Sequence, residues 1–223
     1  MIPLRDTVRS RTIPFVNYLF IGTCGVVFLY ELSLGSKVEF FFQRFGVIPA
    51  DVSSVMHGAA ISLAPLVRLV TSMFLHGGWA HLIGNMLFLQ VFGDNVEDRV
   101  GHFGYVFFYV LAGIGASLVE VYFHPASASP LIGASGAISG VMGAYLLLHP
   151  KAKVMTLIPL IIFFPVVEVP AFVFLGLWLV IQVLQGSVGY GAGAEGGVAW
   201  WAHAGGFVVG AVLLPIFLLI RRR

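Results

Sequence analysis

Ser135 stands in the small-residue run Gly133-Ala134-Ser135-Gly136, at the head of an apolar stretch. If that stretch is helical, Ser135 lies at a helix N-terminus, where backbone N–H groups without intrahelical partners favour a developing oxyanion. The run is not the G-x-S-x-G elbow of soluble hydrolases, because Ala137 occupies the place of the second glycine. Taken alone, such a serine is more simply a helix cap. A histidine further along changes the balance. His203 lies in Ala202-His203-Ala204-Gly205-Gly206, one turn ahead of the pair Gly206 and Gly210. Glycines four apart let one helix press its backbone against another, and the stretch after Ser135 carries its own pair, Gly136 and Gly140. If the two stretches cross at these glycines, His203 comes within hydrogen-bond reach of Ser135, as a general base must be to activate a nucleophile.

A third group is His81-Leu82-Ile83-Gly84-Asn85. A spacing of four places His81 and Asn85 on one helical face, and both can donate a hydrogen bond, as an oxyanion site requires. His76 and His81 invite a metal reading, but in a helix a spacing of five puts them on different faces, and no cluster of acidic or cysteine ligands accompanies them. Neither a metal nor a cofactor is expected.

The elements that position these groups follow from composition. Of 223 residues, 59% are hydrophobic and 10% charged, and the mean hydropathy is +0.97. Soluble domains carry about 25% charged residues, so the solvent of this chain is largely lipid. Runs of about 20 apolar residues predict spans near 13–34, 79–93, 103–123, 134–149, 168–185 and 197–219. The expected fold class is all-α, a polytopic membrane bundle of six transmembrane helices, forming a single domain over 1–223. The second and fourth spans look short, which leaves room for water. The first loop, 35–78, mixes Phe40, Phe41, Phe42, Phe45, Val67 and Leu69 with polar residues and is expected to be part-helical and part-embedded in the interface. The glycine-dense stretch 186–197 is a candidate lid, and the fifth span before it is the candidate gate.

Basic residues gather at Arg5, Arg9 and Arg11, at Arg99, at Lys151 and Lys153, and at Arg221, Arg222 and Arg223, whereas the other loops hold only Lys37, Arg44 and Arg68. The positive-inside rule then places both termini in the cytoplasm. Such clusters are topology signals, and no nucleic-acid partner is expected. The run from Ile13 to Leu34 is longer than the apolar core of a secretory signal, so it is expected to be a retained span. The one cysteine, Cys24, excludes an intrachain disulfide.

Three blocks, Arg68 to Met86 with His76, His81 and Asn85, then Gly133-Ala134-Ser135-Gly136, then Ala202-His203-Ala204-Gly205-Gly206, fall on the second, fourth and sixth spans. Together they resemble the signature blocks of the rhomboid intramembrane serine proteases, over about residue 13 to the C-terminus. The resemblance implies a dyad without a third acid: Ser135 as nucleophile, His203 as general base, and His81, Asn85 and the Ser135 backbone N–H at the oxyanion. It further implies a serine endopeptidase that cuts other transmembrane helices near their outer end, after a small residue, where the helix unwinds. A bacterial inner membrane is the expected location, with the site open to the extracytoplasmic side. Two positions depart from the pattern: Val67 replaces the tryptophan of a Trp-Arg pair whose arginine is Arg68, and Ser139 stands where some members place an aromatic against the base. Glu97 matches a glutamate kept near the inner end of the second span, to be satisfied by Arg99 or by backbone N–H groups. Glu120, Glu168, His57, His102, His124 and His149 are given no catalytic role. The rival expectation is a silent rhomboid-like binder of transmembrane segments, which would more typically lack the serine or the histidine.

Overall fold

The computed structural model describes residues 1–58, 62–160, 162–191 and 198–221. A strand β1 (Ile2–Asp6) precedes α1 (Phe15–Ser33), and three short helices follow, α2 (Val38–Phe45), α3 (Pro49–Met56) and α4 (Ala64–Thr71). The long helices α5 (Trp79–Val100) and α6 (His102–Phe123) come next, then α7 (Ser135–Leu148), the strands β2 (Lys153–Leu157) and β3 (Val166–Pro170), and finally α8 (Ala171–Gly191) and α9 (Trp200–Arg221). Four helices, at Phe15–Ser33, His102–Phe123, Ala171–Val188 and Trp200–Arg221, are long and apolar enough to cross a membrane. They present many large apolar side chains outward, among them Phe103, Val26 and Ile220. In water such a surface would aggregate; in lipid it is solvated.

α7 is the hub. Its 14 residues span only about 21 Å at 1.5 Å per residue, less than the roughly 30 Å of a hydrocarbon core, and every residue from Ala137 to Tyr145 is buried. Small residues make the hub close-packed. A Cβ added at Gly206 would meet the Gly136 carbonyl oxygen, one at Gly210 the Gly140 carbonyl, and one at Gly143 the Phe207 carbonyl. On the α6 side, a Cβ on Gly140 would lie 2.5 Å from that of Ala112, and one on Gly136 2.8 Å from that of Ala116. Between apolar helices in lipid, such backbone approach supplies the dispersion contacts that hold the pair.

Buried polar groups tie the helices at specific points. The fully buried Glu97 accepts from the backbone N–H groups of Val16 (2.9 Å) and Asn17 (2.7 Å), which satisfies two of the N–H groups left without intrahelical partners at the N-terminus of α1. His102, 2.5 Å away through Nδ1, is its side-chain partner in place of the anticipated Arg99. Asn17 donates to the Leu89 carbonyl and accepts from the Tyr105 hydroxyl, joining α1, α5 and α6.

Four differences from the sequence expectation have physical reasons. The chain is not wholly helical: β1, β2 and β3 form an antiparallel sheet in that order, with Asp6 opposite Val154 and Val154 opposite Val169. The connection after α7 is long enough to fold back as a hairpin, and the N-terminal segment pairs with its free edge. α5 continues to Val100, beyond the expected end at 93, because its acidic residues find partners, Glu97 in the α1 backbone N–H groups and Asp98 in Thr12, and Gly101, at φ 80°, stops the helix. The fifth span begins at Ala171, so Glu168 belongs to β3, where it pairs with Lys153 at 2.7 Å. Finally, residues 186–191 of the candidate lid continue α8, while 192–197 lie outside the described residues.

The two ends of the chain meet at one end of the bundle. Thr12 donates to the Asp98 carboxylate through its backbone N–H at 3.0 Å and its hydroxyl at 2.8 Å, and Arg221 donates to the Asp98 carbonyl. The first loop folds into the helices α2 to α4, which pack Val47, Val52 and Leu69 against Val121 of α6, while Phe40, Leu63 and Val67 remain exposed. Arg68 holds α4 to α3 through Asp51 at 2.7 Å.

Candidate active site

Ser135 is the first residue of α7 and His203 lies in the first turns of α9. The glycine crossing of these two helices brings the side chains together: the Ser135 hydroxyl and His203 Nε2 are 2.7 Å apart. The N-terminus of α9 is held from α6, where Glu120 accepts from the Ala202 backbone N–H at 2.8 Å and from His124 Nδ1 at 2.7 Å. Glu120 therefore holds the residue next to His203 without touching the imidazole.

His81 and Asn85 approach from α5. Gly133 takes φ 122°, a backbone conformation that glycine adopts without strain, and its N–H donates to the Ser72 carbonyl at 2.9 Å. A Cβ at Gly133 would lie 2.5 Å from His81 Nε2 and 3.6 Å from Asn85 Nδ2. The missing side chain thus lets the two α5 groups reach the turn that leads into Ser135. Asn85 is buried, and its Nδ2 has no hydrogen-bond partner among the described residues. A buried amide donor without a partner is uncommon in folded proteins and calls for a reason; this one lines the same cavity as Ser135.

A cavity of about 1000 Å³ contains the site, lined by Ser135, His203, His81, Asn85, Trp178 and Gln182 among others. Two of these were not anticipated as site residues. Gln182 on α8 places its Oε1 2.8 Å from His203 Nδ1. Trp178, one turn earlier on the same face, sets its ring 6.0 Å from that of His203, tilted by 35°, and Trp200 stands edge-on to the imidazole at 6.1 Å. The aromatic neighbours of His203 therefore come from α8 and α9, not from position 139, where the Ser139 hydroxyl donates back to the Ser135 carbonyl at 2.6 Å. Gln182 had a signal in the sequence, since an amide inside an apolar span needs a partner; a search for a third acid passes over it. Glu195, the one acid near His203 in the chain, lies outside the described residues.

The other histidines have plain partners: His57 Nδ1 faces the Ser53 carbonyl at 2.8 Å, His102 and His124 face Glu97 and Glu120, and His149 packs on Tyr145. Helical spacing does not separate His76 from His81 as expected, because His76 precedes α5 and the two rings meet edge-on at 5.1 Å. Burial and the neighbouring His81 pull the His76 imidazole down to about 4. Among the described residues, no third His, Cys, Asp or Glu joins the pair in a metal-binding group.

A family profile for the Rhomboid domain matches residues 64–220. Over 155 residues the chain is 32% identical to Rhomboid-like protein 11, chloroplastic, of Arabidopsis thaliana, an alignment covering 66% of this chain and 51% of that protein. It is 35% identical over 134 residues to Rhomboid protease GluP of Bacillus subtilis (strain 168), covering 60% of this chain and 24% of that protein. Against Rhomboid protease AarA of Providencia stuartii it is 28% identical over 217 residues, 88% of this chain and 74% of that protein. The chain thus spans about half of the chloroplastic relative and a quarter of the Bacillus one.

Proposed function

The chain belongs to the rhomboid family and is an integral membrane protein, and from that premise we propose that it is an intramembrane serine endopeptidase working through Ser135 and His203. The observation that carries the reading is the 2.7 Å contact between the Ser135 hydroxyl and His203 Nε2, inside a cavity within an apolar bundle. Nothing in helix packing requires a serine and a histidine to meet there, and the pair has the separation that proton transfer needs.

The chemistry is acyl transfer. His203 takes the Ser135 proton through Nε2 as the oxygen attacks the substrate carbonyl. The oxyanion is received by the Ser135 backbone N–H at the head of α7, by Asn85 Nδ2 and by His81. His203 then protonates the departing amine, and water releases the acyl group. The substrates are transmembrane helices of other proteins, cut near their outer end. An intact helix shields its carbonyls in i to i−4 hydrogen bonds, so the segment must unwind before attack. The six helices α1, α5, α6, α7, α8 and α9 are the six spans. Both termini lie in the cytoplasm, by the basic residues around them, and the cavity opens to the other side; the membrane is a bacterial inner membrane. No metal or cofactor takes part.

The test is incubation of the detergent-solubilised protein with a model transmembrane substrate and, in parallel, with a fluorophosphonate probe. A cut fragment and a label on Ser135, both lost in Ser135→Ala, are expected. An intact substrate and no label would overturn the proposal and leave a binder of transmembrane segments.

A further inference from the structure

On the proposed reading of Ser135 and His203 as a dyad, we infer that Gln182 is a positioning residue that sets the tautomer of the base and does the orienting work which a third acid does in a triad. The chain of reasoning is one of proton counting. To accept the serine proton, Nε2 of a neutral His203 must carry a lone pair, so the ring proton sits on Nδ1. Nδ1–H then needs an acceptor. In the described structure the group opposite Nδ1 is the side-chain amide oxygen of Gln182, at 2.8 Å. The reverse amide orientation would point an NH₂ at Nδ1, force the ring proton onto Nε2 and leave Ser135 facing a donor, which cannot act as a base. The amide oxygen toward the ring is thus the one orientation consistent with catalysis.

The surroundings make the contact a built one. Gln182 is 5% exposed and follows the wholly apolar run 171–181 of its helix. A glutamine there is costly unless its amide is engaged. Trp178, four residues earlier, presents its ring to the same imidazole, so one face of α8 supplies both a hydrogen-bond acceptor and an aromatic wall. The other titratable groups facing His203 are His81 from α5 and Ser135 from α7; the Glu120 carboxylate of α6 is engaged by the Ala202 N–H and by His124. Among the described residues, then, the orienting partner of the base is a neutral amide on the helix across the cavity.

A neutral acceptor fixes the tautomer as a carboxylate would, but it adds no full charge to stabilise the imidazolium formed during attack. The Gln182 variants therefore separate orientation from charge. Gln182→Leu, close in volume, should lower kcat roughly tenfold, the scale of one intramolecular hydrogen bond, with KM little changed. Gln182→Glu should recover turnover relative to Leu, and the acidic limb of its rate–pH profile should move to higher pH, because a carboxylate favours the protonated ring. Fluorophosphonate labelling of Ser135 should follow the same order.

A second readout does not depend on turnover. Nitrogen NMR of the solubilised, 15N-histidine-labelled protein, with His203 assigned by difference from His203→Ala, should show Nδ1 protonated in wild type and in Gln182→Glu, and a mixture of tautomers in Gln182→Leu. A wild type that labels at Ser135 while Gln182→Leu keeps both its rate and its His203 tautomer would overturn the role of Gln182 and leave the dyad standing. A wild type that neither labels nor cleaves would remove the dyad itself, and the inference with it.

Discussion

Replacing Asn85 with alanine separates catalysis from stability in a way that few buried substitutions do. Asn85 is 9% exposed and its Nδ2 has no protein partner among the described residues. In the resting protein the amide therefore contributes no protein hydrogen bond of the kind worth about 0.5–1.5 kcal/mol. Its removal should cost the fold little, because the side chain lines a cavity of about 1000 Å³. In the transition state the same donor meets a full negative charge, and loss of one oxyanion donor costs about 10²- to 10³-fold in kcat. On the proposed mechanism His81 and the Ser135 N–H share the load, so the expected fall is roughly 10- to 1,000-fold, with KM nearly unchanged and the melting temperature close to wild type. The assays are steady-state cleavage of a transmembrane substrate over a concentration series and thermal unfolding of the same preparations. If KM rises while kcat holds, Asn85 docks substrate and the oxyanion assignment is wrong. If the melting temperature falls by several degrees along with kcat, the amide is a structural group.

Ser135→Ala and His203→Ala should each abolish cleavage, and the double variant should be no slower than either alone, since the two act as a unit; additive losses in a single-turnover assay would contradict this. Gly210→Ala should misalign the dyad, because the new Cβ runs into the Gly140 carbonyl and a shift of about 1 Å costs on the order of 100-fold. Gly176→Ala on α8, where nothing lies within 4 Å, should leave cleavage unchanged, and equal rates for both variants would refute the helix crossing. Asp6→Asn tests the far end of the bundle. Burial raises the Asp6 carboxyl above its ordinary value, against the pull of the Tyr145 hydroxyl that donates to it. The folded protein therefore holds that proton more tightly than the unfolded chain. The resulting stability is full below the unfolded value of about 4 and lost as pH rises through the folded one. The variant should melt like wild type near pH 4 and above it near pH 8; a lower melting temperature at pH 8 would mean that the bonds from Tyr145 and Asn95 outweigh burial.

The helical frame was legible because each long helix is written in the one-dimensional pattern of apolar runs, and α7 and α9 carry the glycines that set their contact. Those glycines allowed Ser135 and His203 to meet if the two stretches crossed there, and the resemblance of the three blocks implied the pairing. The sheet was not legible. β1 contains Pro3 and alternates poorly, and β2 and β3 adjoin apolar stretches that blend into the spans, so pairing across some 150 positions leaves no local trace. Gln182 was hidden by a different cause: the function of an amide depends on which ring nitrogen it faces, and that is decided by how α8 lies against α9. On α8, the expected gate, Phe172 is exposed on the outer surface, whereas Leu175 is fully buried. Loosening the gate by truncation therefore calls for position 175, and a Phe172→Ala change should leave α8 seated.

The sheet also carries information about time. β1 is made first, but its partner β2 begins at Lys153, after α1 to α7 have been synthesised. At about 5–20 residues per second, the first strand emerges on the order of ten seconds before the edge it pairs with exists. For that interval the segment 2–6 has no ladder to join, and Asp6 has no Tyr145 hydroxyl to accept. Closure of β1 on β2 is thus a late event in biogenesis, possible only once α7, the helix that begins with Ser135, is complete. A pulse-labelled chain probed for protease sensitivity of residues 2–6 would report when α7 has been delivered to the bundle.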